Sequence, residues 1–150
     1  MTRKNVRAFL DTSVLFSAVL SSTGGARKLF LLGEAGLLDL VIGPNVLREA
    51  DEVVRRKAPA SLPLLAQLLE TGKVHSTLAP TPKQIESARK MVTYLPDARV
   101  LAEAIRSEAD WFITHDKEHF LKAKAALSLP FDIGTPGDVL QKYRNDFYLP

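Results

Sequence analysis

Four carboxylates in this sequence stand where chemistry could be done: Asp11, Glu49, Asp97 and Asp116. Asp11 sits inside "RAFLDTSVLF", with Phe9 and Leu10 before it and Val14, Leu15 and Phe16 after it. A carboxylate in such company loses much of its water, which is costly unless something compensates it. Asp116 closes "WFITHD", another apolar run ending in an acid. Taken singly, each acid reads as a helix N-cap, satisfying the free N–H groups of the segment that follows. Taken together, they stand at the carboxyl ends of two runs that read as buried, central strands, which makes them expected neighbours.

The other two acids lie on helical segments. Asp97 follows Pro96, and at 100° per residue it falls within the arc of Val100, Leu101, Ala104 and Ile105. A cap at the helix start and a reach toward the sheet edge are both open to it. Glu49 lies in "PNVLREADEVVRRK" and borders the apolar stripe through Val46 and Val53. Asp51 borders the other side of that stripe, and the helical wheel does not choose between the two. A solvated flank with Arg55 and Arg56 nearby is the plain alternative for either.

Four converging acids without matching cations repel one another. A divalent ion is the remedy, and magnesium or manganese takes carboxylate and water oxygens. Such a site suits phosphodiester hydrolysis.

The elements that would position these acids alternate along the chain. Strands are expected at Val6–Leu10, Leu38–Gly43, Lys73–Leu78, Trp111–His115 and Phe131–Gly134. Helices are expected at about 13–20, 26–34, 44–57, 62–70, 82–94, 97–109 and 117–127, with a last one opened by Pro136. Residues 145–150 read as a loose tail. Five strands alternating with helices imply one α/β domain over residues 1–150, with a core of about 6–143 and a parallel sheet covered on both faces. Ligands of such sheets bind beyond the carboxyl ends of the strands.

Composition narrows the classes. The 150 residues are 46% hydrophobic and 25% charged, as in an ordinary soluble domain. No cysteine is present, so disulfide scaffolds and thiolate zinc sites are excluded. The net charge of +3 permits a polyanionic partner without requiring one. The basic N-terminus is interrupted too early for a secretory signal, and no stretch approaches the roughly 20 apolar residues of a membrane span. A cytoplasmic, soluble protein with no membrane partner is expected.

In this order and spacing, "FLDTSVLFSA", "VIGPNVLREADEV", "PDARVLAEAIRSEADWFITHDKEHF" and "TPGDVL" resemble the PIN-domain nucleases, especially prokaryotic toxins of toxin–antitoxin pairs. The likeness spans Val6 to about Tyr143. It implies a three-layer α/β/α sandwich around a mostly parallel sheet. It also implies cleavage of single-stranded RNA with one or two Mg²⁺ or Mn²⁺ ions. By resemblance, Asp11, Glu49, Asp97 and Asp116 are the catalytic and metal-binding acids, which selects Glu49 over Asp51. Ser13, Thr114 and Glu118 become supporting residues. Arg48, Arg55 and Lys117 are candidate phosphate contacts. An antitoxin and a second copy of the chain are the implied protein partners.

Two positions depart from the family pattern: Ser13 stands where many members carry Asn, and His119 where an Asp is often found. A non-catalytic PIN-like RNA- or protein-binding module is the alternative, using Arg48, Arg55, Arg56, Lys117, Lys122 and Lys124 on phosphates. The presence of all four acids favours the nuclease.

Other chemistries lack their residues. Asp11-Thr12-Ser13 resembles the start of haloacid-dehalogenase-like phosphatases, but Ser13 stands where their second Asp is needed. A receiver domain would need an acidic pair near the first strand and a lysine after the last. Ser13 and Ser17 have no His–acid pair in nearby sequence, and "SSTGGARK" is not a P-loop. His75, His115 and His119 do not show a metal-ligand spacing and read as surface histidines.

Overall fold

Short strands of apolar residues, each followed by a turn and a helix, build this chain. The computed structural model describes residues 5–126 and 129–147. Strands β1 (Arg7–Leu10), β2 (Asp39–Ile42), β3 (His75–Ser76), β4 (Trp111–Ile113) and β5 (Asp132–Gly134) form one sheet in the order β3-β2-β1-β4-β5. Every pairing is parallel, with Phe9 opposite Val41 on one side and Phe112 on the other. Ala8, Phe9 and Leu10 are wholly buried, as a central strand covered on both faces requires.

The helices are α1 (Thr12–Leu20), α2 (Gly25–Glu34), α3 (Pro44–Lys57), α4 (Leu62–Thr71), α5 (Pro82–Arg89), α6 (Leu95–Arg106), α7 (Lys117–Ala126), α8 (Pro136–Lys142) and α9 (Arg144–Phe147). Together with the sheet they make an α/β/α sandwich. Helix α1 packs on α2 and α3, and α3 packs on α6. Phe112 anchors the core between sheet and helices, with ring centroids 5.6 Å from Phe9, 4.7 Å from Phe120 and 5.8 Å from Phe131.

Several boundaries differ from the sequence reading: β3 is shorter than Lys73–Leu78, β4 ends at Ile113 instead of His115, and α6 ends at Arg106 instead of near 109. Helix α5 stops at Arg89 rather than near Tyr94, and α6 begins at Leu95, two residues before Asp97. Tyr94 is the N-cap of α6 and makes no side-chain cap bond, so Asp97 is a first-turn residue and not a cap. Residues 144–147 are helical rather than loose, and 148–150 lie outside the described residues, as do 127–128 at the expected end of α7. Among the described residues no helix is long and apolar enough to cross a membrane.

Gly36, in the turn after α2, lies in the left-handed region with φ +75°, and a β-carbon added there would meet no atom within 4 Å. An alanine at this position meets no clash but takes on the backbone penalty. Gly36→Ala is expected to cost about 1 kcal/mol and lower the melting temperature by about 2–4 °C. A thermal melt showing no loss would mean that the turn relaxes.

Candidate active site

The strand order reverses between β1 and β4, since β2 and β3 extend to one side and β5 to the other. A crevice forms outside the carboxyl ends of strands at such a point. The two central strands deliver Asp11 and Asp116 there. Helix α3, which follows β2, delivers Glu49, and the first turn of α6, which precedes β4, delivers Asp97.

All four line one cleft of about 280 Å³, together with Thr12, Ser13, Phe16, Val53, Val100 and Phe120. Asp51 is not in its lining; it pairs instead with Arg55 at 2.8 Å on the helix surface. The choice the wheel left open thus falls to Glu49. Among the described residues no Lys, Arg or His is in the lining.

Asp11 is fixed from several directions. It is the N-cap of α1, accepting from its neighbour Thr12 N at 2.8 Å. Its Oδ2 accepts from Thr114 Oγ1 at 2.8 Å and Ser13 Oγ at 3.4 Å. The same hydroxyls hold the loop after β4: His115 N donates to Ser13 Oγ at 3.1 Å, and Asp116 N to Thr114 Oγ1 at 3.0 Å. Ser13 and Thr114 therefore tie the first acid to the segment bearing the last. Capping and a place in the cleft are not alternatives for Asp11; one carboxylate does both.

The electrostatics carry the mark of crowding. Burial pushes the Asp11 carboxyl above its ordinary value, and the Asp97 charge adds to this against the hydrogen bonds it accepts. Glu49 is raised as well, first by loss of water and then by the Asp11 charge, with Asp97 contributing. The buried Thr12 hydroxyl has no hydrogen bond of good geometry, although it lies near enough to Glu49 to favour that carboxylate's charged form.

Raised folded values fix the sign of a pH effect. Each group's stabilising contribution is full below its unfolded value, 3.8 for Asp11 and 4.5 for Glu49, and is lost as pH rises through the folded value. Asp11→Asn removes one such group. Its melting temperature, relative to the unsubstituted chain, is expected to climb as pH rises above about 4. A difference that stays flat as pH rises would show that burial and the neighbouring charge do not raise the Asp11 carboxyl.

The remaining expected site residues lie elsewhere. Glu118 is exposed and outside the cleft lining. Lys117 pairs with Asp138 at 2.9 Å, and Arg48 donates to Asn45 Oδ1 at 2.6 Å. Neither they nor Arg55 reach the cleft lining. Exposed pairs of this kind are weak.

Two residues carry more than the sequence suggested. His119, read as a surface histidine, has Nε2 3.0 Å from Asp97 Oδ2. Glu103 on α6 is wholly buried and accepts from Asn45 N at 2.6 Å, Asn45 Nδ2 at 3.0 Å and Val46 N at 3.3 Å. It serves as the missing cap of α3, whose own N-cap is Gly43. A β-carbon on Gly43 would collide with the Glu103 side chain. The available signal was a glutamate among Leu101, Ala102, Ala104 and Ile105, where only a buried partner makes a charge tolerable.

A family model for the PIN domain matches residues 7–118, which takes in all four acids. The chain belongs to the PIN domain family. Several solved structures share its fold. PAE2754 from Pyrobaculum aerophilum superposes with a TM-score of 0.65 at 19% identity, covering 97% of this chain and 99% of that one. VapBC2 from Rickettsia felis, bound to a DNA fragment from its promoter, gives 0.61 at 16%, covering 85% and 97%. The Mycobacterium tuberculosis toxin VapC20, described as cleaving the sarcin–ricin loop, gives 0.56 at 15%, covering 76% and 93%. No curated protein matches the chain.

The donor set of this PIN domain suits a hard divalent ion. Carboxylates and a buried hydroxyl without a well-formed bond are what such an ion would meet. Among the described residues no group of three or more His, Asp or Glu is drawn tightly enough to cage an ion. Magnesium does not need a cage, since it binds through one or two carboxylates and keeps several waters. A cleft of this volume has room for those waters, at about 30 Å³ each.

Proposed function

We propose that this PIN domain is a Mg²⁺- or Mn²⁺-dependent endoribonuclease acting on single-stranded RNA, and the toxin of a toxin–antitoxin pair. The observation that carries the reading is the convergence of Asp11, Glu49, Asp97 and Asp116, from separate elements, on one cleft. Membership of the PIN domain family supports it. So do fold neighbours described as a VapBC complex and as a toxin cleaving the sarcin–ricin loop.

In this reading the four acids are the catalytic and metal-binding groups. When bound, the ion supplies positive charge that activates water and clamps the phosphodiester. Ser13, Thr12 N and Thr114 aim Asp11 and leave its carboxylate little freedom. Phe16, Val53, Val100 and Phe120 give the cleft apolar walls that limit water around the charged groups. Arg48, Arg55 and Lys117 stand outside as phosphate contacts, exchanging weak surface bonds for RNA. An antitoxin and a second copy of the chain are the protein partners, and the setting is cytoplasmic.

The test is cleavage of an end-labelled single-stranded RNA by the purified chain, with Mn²⁺, with Mg²⁺ and with a chelator. Metal-dependent cleavage is expected, and the chelator should abolish it. The reading fails if Mn²⁺ elicits no cleavage and RNA is bound equally well with and without the acids. A non-catalytic binding module then takes its place.

A separate outcome concerns folding. Ions that bind only the native state raise its stability, so millimolar Mn²⁺ is expected to raise the melting temperature at neutral pH. The rise should be largest where both Asp11 and Glu49 are ionised. An unchanged melt would count against an assembled site.

A further inference from the structure

His119 brings a nitrogen to an otherwise all-oxygen neighbourhood. Its Nε2 lies 3.0 Å from Oδ2 of Asp97, a carboxylate of the cleft lining. The ring's setting follows from the core. His119 meets Phe120 edge-on, with centroids 5.2 Å apart and planes at 83°. Phe120 in turn is buried against Phe112. The imidazole is thus braced by an aromatic stack rooted in β4, although its own side chain is 43% exposed.

We propose that His119 is a nitrogen ligand of the divalent ion, binding it jointly with Asp97, and that it biases the site toward first-row transition ions over magnesium. The inference rests on the metal-site reading given above and assigns a residue and a selectivity to that site. Two neighbouring donors on an octahedral ion, with bonds of about 2.1 Å, stand about 3.0 Å apart. The Nε2–Oδ2 separation has that value in the hydrogen bond, so sharing an ion asks the unprotonated ring to turn its lone pair off the N···O line and not to travel. Magnesium demands oxygen, whereas imidazole gains affinity for transition ions in the order Mn²⁺ < Fe²⁺ < Co²⁺ < Ni²⁺. A histidine in this position therefore favours the transition ion.

The competing role is a hydrogen bond that merely orients Asp97. Spectroscopy separates the two. Pulsed electron paramagnetic resonance of the Mn²⁺-loaded chain is expected to show coupling to a directly bound imidazole ¹⁴N, altered when the protein is made with ¹⁵N-histidine. His119→Ala should abolish the coupling while Mn²⁺ still binds. The Mn²⁺-over-Mg²⁺ affinity ratio, measured by competition calorimetry, should fall by about tenfold. His115→Ala is the control and should keep the coupling. If the alanine variant at 119 does not fold, His119→Gln and the isotope substitution in the unsubstituted chain give the same readout. Bound Mn²⁺ without nitrogen coupling overturns the role of His119 and leaves the acidic site standing. No Mn²⁺ binding at all overturns both.

Discussion

Asp97→Asn is expected to fold like the unsubstituted chain and to lose metal-dependent RNA cleavage by about 100-fold or more. Asp97 is the cleanest acid to test because the fold asks little of it. It does not cap α6, its side chain is about one-third exposed, and His119 is the partner it bonds. An amide of nearly the same size removes the charge and half of the oxygen donors, and a neutral oxygen is a poorer ligand for a hard cation. Changes one step further out, at groups that only orient a ligand, typically cost 10–100-fold, so the loss of a ligand should reach at least the top of that range. Asp11→Asn should lose activity to a similar extent, but with a structural cost. The amide oxygen can still cap Thr12 N, whereas its NH₂ cannot accept from Thr114.

RNA affinity distinguishes loss of catalysis from loss of binding. Removing a negative charge that faces phosphate should leave binding unchanged or strengthen it. Arg55→Ala should instead weaken binding modestly and flatten its salt dependence, provided that Arg55 leaves Asp51 for a phosphate. Gel-shift titrations at several salt concentrations, run beside the cleavage assay, give both readouts. Undiminished cleavage by the Asp97 variant would remove that residue from the site.

Much of this arrangement was legible because it depends on local pattern. β1 and β4 are apolar runs ending in an acid, and parallel sheets place such ends together. The pairing of β1 with β4 then brought Asp11 and Asp116 to one crevice. What the pattern did not contain was azimuth and long-range partnership. Glu49 and Asp51 lie on opposite flanks of one stripe, and only the packing of α3 on α1 and α6 decides which flank faces the cleft. A cap stayed open for Asp97 because Pro96 marked a helix start. The helix in fact begins at Leu95, and Pro96 takes an early first-turn position where its lost N–H costs nothing. His119 was placed by a stack of aromatic rings whose members are spread along the sequence.

The residue that sequence pattern could least reveal is Glu103, and its loss should produce the largest stability effect. Glu103→Ala is expected to cost about 3–4 kcal/mol, a drop of about 10 °C in melting temperature for a domain of this size. The carboxylate accepts three hydrogen bonds from Asn45 and Val46 across 57 or 58 residues of sequence. Two of these come from backbone N–H groups in the first turn of α3, where the helix dipole favours an anion. Burial nevertheless raises its pKa, against those bonds and the charge of Arg48. Alanine would leave the N–H groups unsatisfied and a void beside Gly43, and each buried unpaired group costs about 1–3 kcal/mol. Glu103→Gln keeps the shape but turns an NH₂ toward a donor, so its cost should be roughly half. Gly43→Ala attacks the same contact from the other side, because its β-carbon occupies the space of the Glu103 side chain. The consequence reaches the cleft without touching it. Glu49 lies one turn beyond Asn45 on α3, so a loosened first turn should weaken Mn²⁺ binding in all three variants, in the order of their lost stability. Hydrogen exchange at Val46 and Leu47 should report the loosening directly. If Glu103→Ala melts like the unsubstituted chain, the carboxylate is not the clamp between α3 and α6. If it melts early yet binds Mn²⁺ undiminished, the clamp serves the fold alone and Glu49 is held by other contacts.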